Sequence, residues 1–250
     1  MFRGNPSHTA QSKATGPVNG QIAWVYTLPG ETSSSPVIAE DTIYIMGGRK
    51  LTALTLEGSL KWSINCANQS MSTPAVDSNG IIYAAAEDGS LNAINPSGSI
   101  RWKKQMLGTI VASVTIGWDN TVYIATYDGM YYAYSPEGSV TFLTQLGRKI
   151  ISTCAVDEQG NSFIAGNDGS MCYVAANGST KWYSAIEWQG SVVSSCAIGA
   201  DKTVYWGTTN GKICAMNPDG TRKWVYQTGG SIFSSPAVSG SNRIIVGSRD

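Results

Sequence analysis

The chain has 250 residues, with 17 basic and 17 acidic side chains, and only 14 % of it is charged. So even a balance excludes a long-range field that would steer the protein to nucleic acid or an anionic membrane surface. No stretch reaches the ~18 apolar residues of a membrane-spanning helix, and the length suits one large all-β domain.

Residues 1–20 are polar and rich in Gly, Pro, Ser and Thr, and read as an extended lead-in along the outside of the first or last of the repeats that follow. Met1 to Pro6 has neither the basic start nor the apolar run of an export signal. The alternative is a domain cut from a longer polypeptide that carries its signal elsewhere. His8, the only histidine, lacks the convergent ligands of a metal site and reads as a local hydrogen-bonding residue.

From Gln21 onward the chain repeats with a period of about 40 residues, the mark of a radial repeat fold. Ser72 to Trp102 shows the unit: strand Ser72–Val76, a turn at Asn79-Gly80, strand Ile81–Ala85, a turn at Asp88-Gly89, and strand Leu91–Ile94. A proline-led turn at Asn95–Gly98 then leads into a fourth strand around Trp102. Trp24, Trp62, Trp102, Phe142, Trp182 and Trp224 share one column, and Gly58, Gly98, Gly138, Gly178 and Gly220 another. The strands are rich in Val, Ile, Ala and Tyr, and no window shows a helical stripe.

The expected fold is an all-β propeller of four-stranded antiparallel blades, a single domain over 1–250. The blades run over about 33–65, 72–105, 111–146, 151–186 and 192–227, with a sixth from 231–250 plus 21–26. Strand Gln21–Tyr26 is expected to latch a six-bladed ring, leaving the third strand of that blade unassigned; an open arc from a larger propeller is the alternative. The Trp/Phe column is read as inter-blade packing, since one small sheet cannot cover both of its own faces. Phe142, which has no indole nitrogen, favours packing over a required hydrogen bond.

Copies disagree most in their loops, so function is sought there. Arg49, Lys50, Gln69, Tyr127, Arg148, Lys149, Asn167, Trp188, Gln189, Thr209 and Arg249 fall on the face formed by the turns between second and third strands and the entries to the first strands. This basic and aromatic rim is the candidate binding site. Trp118 and the cluster Tyr127, Tyr131, Tyr132 and Tyr134 mark the third copy as the most divergent. Tyrosines that replace Leu, Ala and Ile of sibling copies read as core, whereas exposed aromatics would make a carbohydrate or peptide platform. No catalytic residue and no metal ligand set is identified. Asp77, Asp88, Asp128, Asp157 and Asp168 sit at turns that Asp caps. Inner-strand Ser and Thr suit crowding at the axis and a water-filled channel. The five cysteines occupy small apolar slots rather than a disulfide pattern.

The unit SSPAV…IYAAAEDGSLNAINPSGSIRW resembles the repeats of the quinoprotein-like, or PQQ-like, β-propellers, and the opening MFRGNPSHTA resembles their lead-in. The resemblance covers about 22–250. It implies a rigid scaffold for protein or glycan interaction through one face of the ring, outside the cytoplasm at the cell envelope or secreted. The PQQ enzymes of that family have eight blades and an adjacent cysteine pair, which this chain lacks, so no cofactor is expected. Expected partners are protein or carbohydrate, with no nucleic acid and no membrane insertion, for a monomer or part of a larger polypeptide. The alternative is a polysaccharide lyase or hydrolase whose carboxylates converge at the central channel.

Overall fold

The computed structural model describes residues 5–9, 19–66, 69–184, 190–239, 241 and 243–250. No helix occurs among them, and therefore none long and apolar enough to cross a membrane. Blade one holds β1 (Val37–Ala39), β2 (Thr42–Gly47), β3 (Lys50–Thr55) and β4 (Leu60–Asn65). Blade two holds β5 (Ala75–Val76), β6 (Ile82–Ala85), β7 (Ser90–Ile94) and β8 (Ile100–Gln105). Blade three holds β9 (Thr115–Ile116), β10 (Val122–Ala125), β11 (Met130–Tyr134) and β12 (Val140–Gln145). Blade four holds β13 (Ala155–Val156), β14 (Ser162–Ala165), β15 (Met171–Val174) and β16 (Thr180–Ser184). Blade five holds β17 (Ala197–Ile198), β18 (Val204–Gly207), β19 (Lys212–Met216) and β20 (Arg222–Gln227). A sixth sheet has two strands, β21 (Ala237–Val238) and β22 (Ile244–Ile245). Each sheet is an antiparallel meander in chain order, as hairpins of this spacing require.

Two columns of the repeat meet in space. The aromatic ring of one blade lies on the glycine of the next blade's last turn: a Cβ on Gly98 would come 2.9 Å from Trp62, and one on Gly178 would come 2.6 Å from Phe142. These glycines also have positive φ, +89° and +83°, so the turn needs glycine for its backbone as well as for the space. The indole N–H adds a directional bond that the sequence reading did not assign. Trp24, Trp62, Trp102 and Trp182 donate to the carbonyls of Leu56, Pro96, Pro136 and Pro218 in the next blade's turn. Beside each such turn the register of third against fourth strand slips, at Ala53/Leu54, Ala93/Ile94, Ala133/Tyr134, Tyr173/Val174 and Ala215/Met216. A bulge in that place twists the outer strand over the neighbouring blade.

Near the axis a second chain of bonds runs from blade to blade. The backbone N–H of Ser35 donates to Thr73 Oγ1, Thr73 to Ser113 Oγ, Ser113 to Thr153 Oγ1, Thr153 to Ser195 Oγ, and Ser195 to Ser235 Oγ. The hydroxyls expected to face channel water are thus bound to the preceding blade. First strands pair regularly only at their ends: the N–H groups of Ser35, Thr73, Ser113, Thr153 and Ser195 are used in this girdle, and Pro36 and Pro74, which follow two of them, have no N–H.

Two expectations about the N-terminal region change. Gln21 to Tyr26 forms no strand and joins no sheet. Among the described residues no third strand follows β22 to offer it an edge, while Trp24 still takes up its repeat position on Gly58. Of the lead-in, the stretch Asn5 to Thr9 is not on the outside: Pro6 and His8 are buried. Asn5 to His8 forms a turn whose carbonyls at Pro6 and Ser7, with that of Thr9, accept the amides of Val156, Ile198 and Val238. Those amides close the first strands of blades four, five and six, so the turn fastens the three sheets together near the axis.

Tyr131, Tyr132, Tyr134 and Trp206 are buried, as are all five cysteines, each a free thiol. Burial raises the thiol pKa of Cys66 to about 11, and of Cys172, Cys196 and Cys214 to about 12. The native chain is expected to leave its thiols unmodified by a thiolate-selective reagent at pH 8 and to react at all five on unfolding, read by absorbance. Folded pKa values above the unfolded value of ~8.5 mean that this stability is complete below that pH and is lost as pH rises toward 11–12. Gly178→Ala should lower unfolding free energy by about 2 kcal/mol or more in urea melts. Gly147→Ala, at φ +65° with nothing within 4 Å, should cost only about 1 kcal/mol.

Candidate functional site

The loops of the candidate face hold each other in place. In each of the first five blades the turn after the second strand donates to the loop entering that blade: Gly48 to Glu31, Glu87 to Gln69, Tyr127 to Thr109, Asn167 to Lys149 and Thr209 to Ser191. The end of the fourth strand donates back to the turn between second and third strands, as in Cys66 to Arg49 and Leu146 to Gly129. Side chains on this face are therefore carried by hydrogen-bonded backbone rather than by free loops.

Of the residues singled out, the structure gathers Tyr127, Arg148 and Lys149 between blades three and four. Lys149 Nζ lies 5.3 Å from the centre of the Tyr127 ring, and the Arg148 guanidinium 5.0 Å from that of Tyr183. Arg148 also pairs with Asp168. Burial works against ionisation of Asp168, but hydrogen bonds from Ser170 and the Arg148 guanidinium prevail and hold its carboxyl below the usual range. Asp168 and Tyr183 were not among the expected site residues, since only the folded loops bring them to Arg148.

The other expected residues are spread around the rim. Arg249 stacks on Phe233, in the segment entering the sixth sheet, at 4.3 Å. Arg49 is exposed on blade one beside Lys50, whose backbone pairs with Asn65, and Gln69 is exposed at the entry to blade two. Trp188 and Gln189 lie outside the described residues. The aspartates serve their own hairpins: Asp77 accepts from Asn79 N–H, Ile81 N–H and Tyr83 OH, and Asp157 from Gln159 and Asn161. Among the described residues no three His, Cys, Asp or Glu side chains come together as a metal site.

The opposite mouth of the axis holds a cavity of about 290 Å³ that the sequence did not reveal. Asn5, Ser7 and Thr9 of the N-terminal turn form one wall, and Trp118, Glu158 and Lys202 face it from blades three, four and five. The available signal was the run Asn5-Pro6-Ser7-His8-Thr9, in which Asn caps its own turn: Asn5 Oδ1 accepts the Thr9 N–H and its amide donates to Thr9 Oγ1. The His8 ring meets the Cys196 carbonyl, much as the Thr115 hydroxyl donates to that of Cys154 one blade earlier.

A family model described as outer membrane protein assembly factor BamB matches residues 11–138 and 87–249 in two overlapping passes. No curated protein matches in sequence. The crystal structure of BamB from Moraxella catarrhalis is similar at TM-score 0.76 and 18% identity, over 90% of this chain and 70% of that one. A europium-containing methanol dehydrogenase gives TM-score 0.73 at 12% identity, over 84% of this chain and 64% of that chain. A computationally designed protein gives 0.74 at 12% identity, over 86% and 68%. At these identities the structural likeness concerns the fold.

Asn5→Ala removes both bonds that set the turn, each worth about 1 kcal/mol. Amide exchange at Val156, Ile198 and Val238 is expected to quicken roughly tenfold, while Ile82 to Ala85 in blade two keep their rates.

Proposed function

The chain belongs to the family of the outer membrane protein assembly factor BamB, a PQQ-like β-propeller family, and on that premise we propose that it is a non-catalytic scaffold that docks a protein through its loop-bearing face, outside the cytoplasm. The observation that carries this reading is the cluster Tyr127, Lys149, Arg148 and Tyr183 on hydrogen-bonded loops. Tyr and Arg recur at interface hot spots because each combines a large apolar surface with a polar group at little entropic cost. Here the cations already lie against aromatic rings, so a partner meets a preformed amphipathic surface and little side-chain freedom is lost on binding. Arg49, Lys50, Gln69 and Arg249 extend the rim toward its periphery as secondary contacts. The family description supports a role in assembly at the outer membrane, where scaffolding needs a rigid face rather than a reaction centre.

A second ligand class is favoured by a separate observation. Trp118 is 55% exposed beside a cavity that also presents amide, hydroxyl and charged groups, the combination that stacks and hydrogen-bonds a sugar ring. That supports glycan binding at the opposite mouth.

A photo-reactive amino acid at position 127 or 149 is expected to give discrete protein adducts in the cell envelope, and one at position 78 on the opposite face none. Adducts in equal yield from both faces, or none from 127 and 149, would sink the docking reading. Quenching of Trp118 fluorescence by soluble oligosaccharides tests the glycan reading independently.

A further inference from the structure

The axial cavity of about 290 Å³ continues outward from the mouth. A second cavity, of about 140 Å³, lies in the seam between blades three and four, walled by Tyr123 and Thr141 on one side and by Gly160 and Ala176 on the other. Trp118 and Glu158 line both cavities. Ile198 and Val238 at one end belong to first strands near the axis, and Thr141 at the other belongs to β12 at the rim. The two cavities thus make one radial groove, with its waist at Trp118 and Glu158. The corresponding seam between blades one and two shows what the repeat alone produces. A cavity of about 150 Å³ is lined there by Tyr44, Ser78, Gly80 and Pro96, at the repeat positions of Tyr123, Glu158, Gly160 and Ala176. It shares no lining residue with the axial cavity. Where blade three has Trp118, blades two, four and five have Ser78, Glu158 and Ala200, so the ring is not part of the packing pattern.

The charged side chains lining the groove are Asp119, Asp157, Glu158 and Lys202. Asp119 and Asp157 cap their own turns, and Lys202 Nζ donates to Gln159 Oε1 at 2.7 Å across the boundary of blades four and five. This excess of carboxylates repels an acidic ligand and presents acceptors for hydroxyl or amine protons. The amides of Gly117, Asn120 and Thr121 in one turn and of Gln159, Gly160 and Asn161 in the next are already bonded within their own hairpins. An extended peptide therefore finds no strand edge to pair with. What remains is a ring face flanked by side-chain acceptors, which matches the apolar face and the hydroxyls of a sugar.

We infer that this groove binds a linear oligosaccharide without acidic groups, laid radially, with one unit at the axial mouth, one stacked on Trp118 and one in the seam between blades three and four. Glu158, at the waist, accepts hydroxyls from the units on either side of it. The inference rests on the glycan reading of this mouth given above, and adds to it the length and the charge of the ligand.

Calorimetric titration with oligomers of one to four units, of glucose and of N-acetylglucosamine, tests it. In at least one series affinity is expected to rise about tenfold or more from one unit to three, and galacturonate oligomers of the same lengths are expected to bind about tenfold more weakly or not at all. Trp118→Ala should weaken binding of the three-unit ligand about tenfold or more. Ala176→Trp and Thr141→Trp, at two exposed positions, fill the outer cavity and should bring the three-unit ligand back to the affinity of the single unit. Equal affinity for one unit and three, a gain with length that survives both tryptophan substitutions, or a preference for the galacturonates overturns the inference while the glycan reading stands. Binding of none of these saccharides, with or without binding of an unstructured Ser/Gly peptide in the same titration, overturns both.

Discussion

The arrangement depends on an aromatic ring seated on a glycine of the neighbouring blade. Trp62 on Gly98 and Trp102 on Gly138 are contacts between residues some 36 positions apart, repeated around the arc. Each combines ring burial with one indole hydrogen bond to a carbonyl that would otherwise face the blade–blade seam. Phe142 keeps the packing on Gly178 and forgoes the bond, and there Thr144 donates to the Gly178 carbonyl instead. The bulge beside each turn follows from this seating, because the fourth strand must twist to bring the ring across.

The inner girdle complements this outer contact. Outside, blades are tied by rings on glycines; inside, by backbone amides donating to Ser and Thr hydroxyls. An isolated four-stranded sheet exposes two apolar faces and cannot persist alone, so these two sets of bonds also fix the angle at which each sheet covers its neighbour. The loops are then held in addition by carbonyls crossing between entry loops and turns, which is why Tyr127, Arg148 and Lys149 arrive at set positions. Cation and ring pair within this frame, so each cation is already partly shielded from water by its neighbouring ring.

Much of this was legible in the sequence, and the limits have a physical pattern. The period, the strand positions and the Trp and Gly columns are local or nearly local signals, and each copy repeats them. The hydroxyl column was visible as Ser and Thr, but a small residue at a crowded axis has the same appearance whether its hydroxyl meets water or an amide. The turn at Asn5 to Thr9 makes contacts 149 and 188 positions away, and no period connects them to their targets. Nor could the site be completed from sequence, because Asp168 and Tyr183 reach Arg148 only across folded loops. Gln21 to Tyr26 misled for a related reason: it carries the residues of a fourth strand, yet a strand exists only where a neighbour offers its edge.

That last point separates repeat proteins from other folds. In a closed core, the same residues always meet the same partners, so sequence pattern and burial agree. In a radial array the pattern is written identically in every unit, while burial depends on whether a neighbour is present. β2 and β6 have nearly the same chemistry, Ile-Tyr-Ile-Met against Ile-Tyr-Ala-Ala, but β2 alternates between buried and half-buried where β6 is buried throughout. Its residues are not a solvent-facing strand by composition. They are left half-covered on that flank, where Trp24, bonded to Leu56 as Trp62 is to Pro96, is the ring that packs beside them.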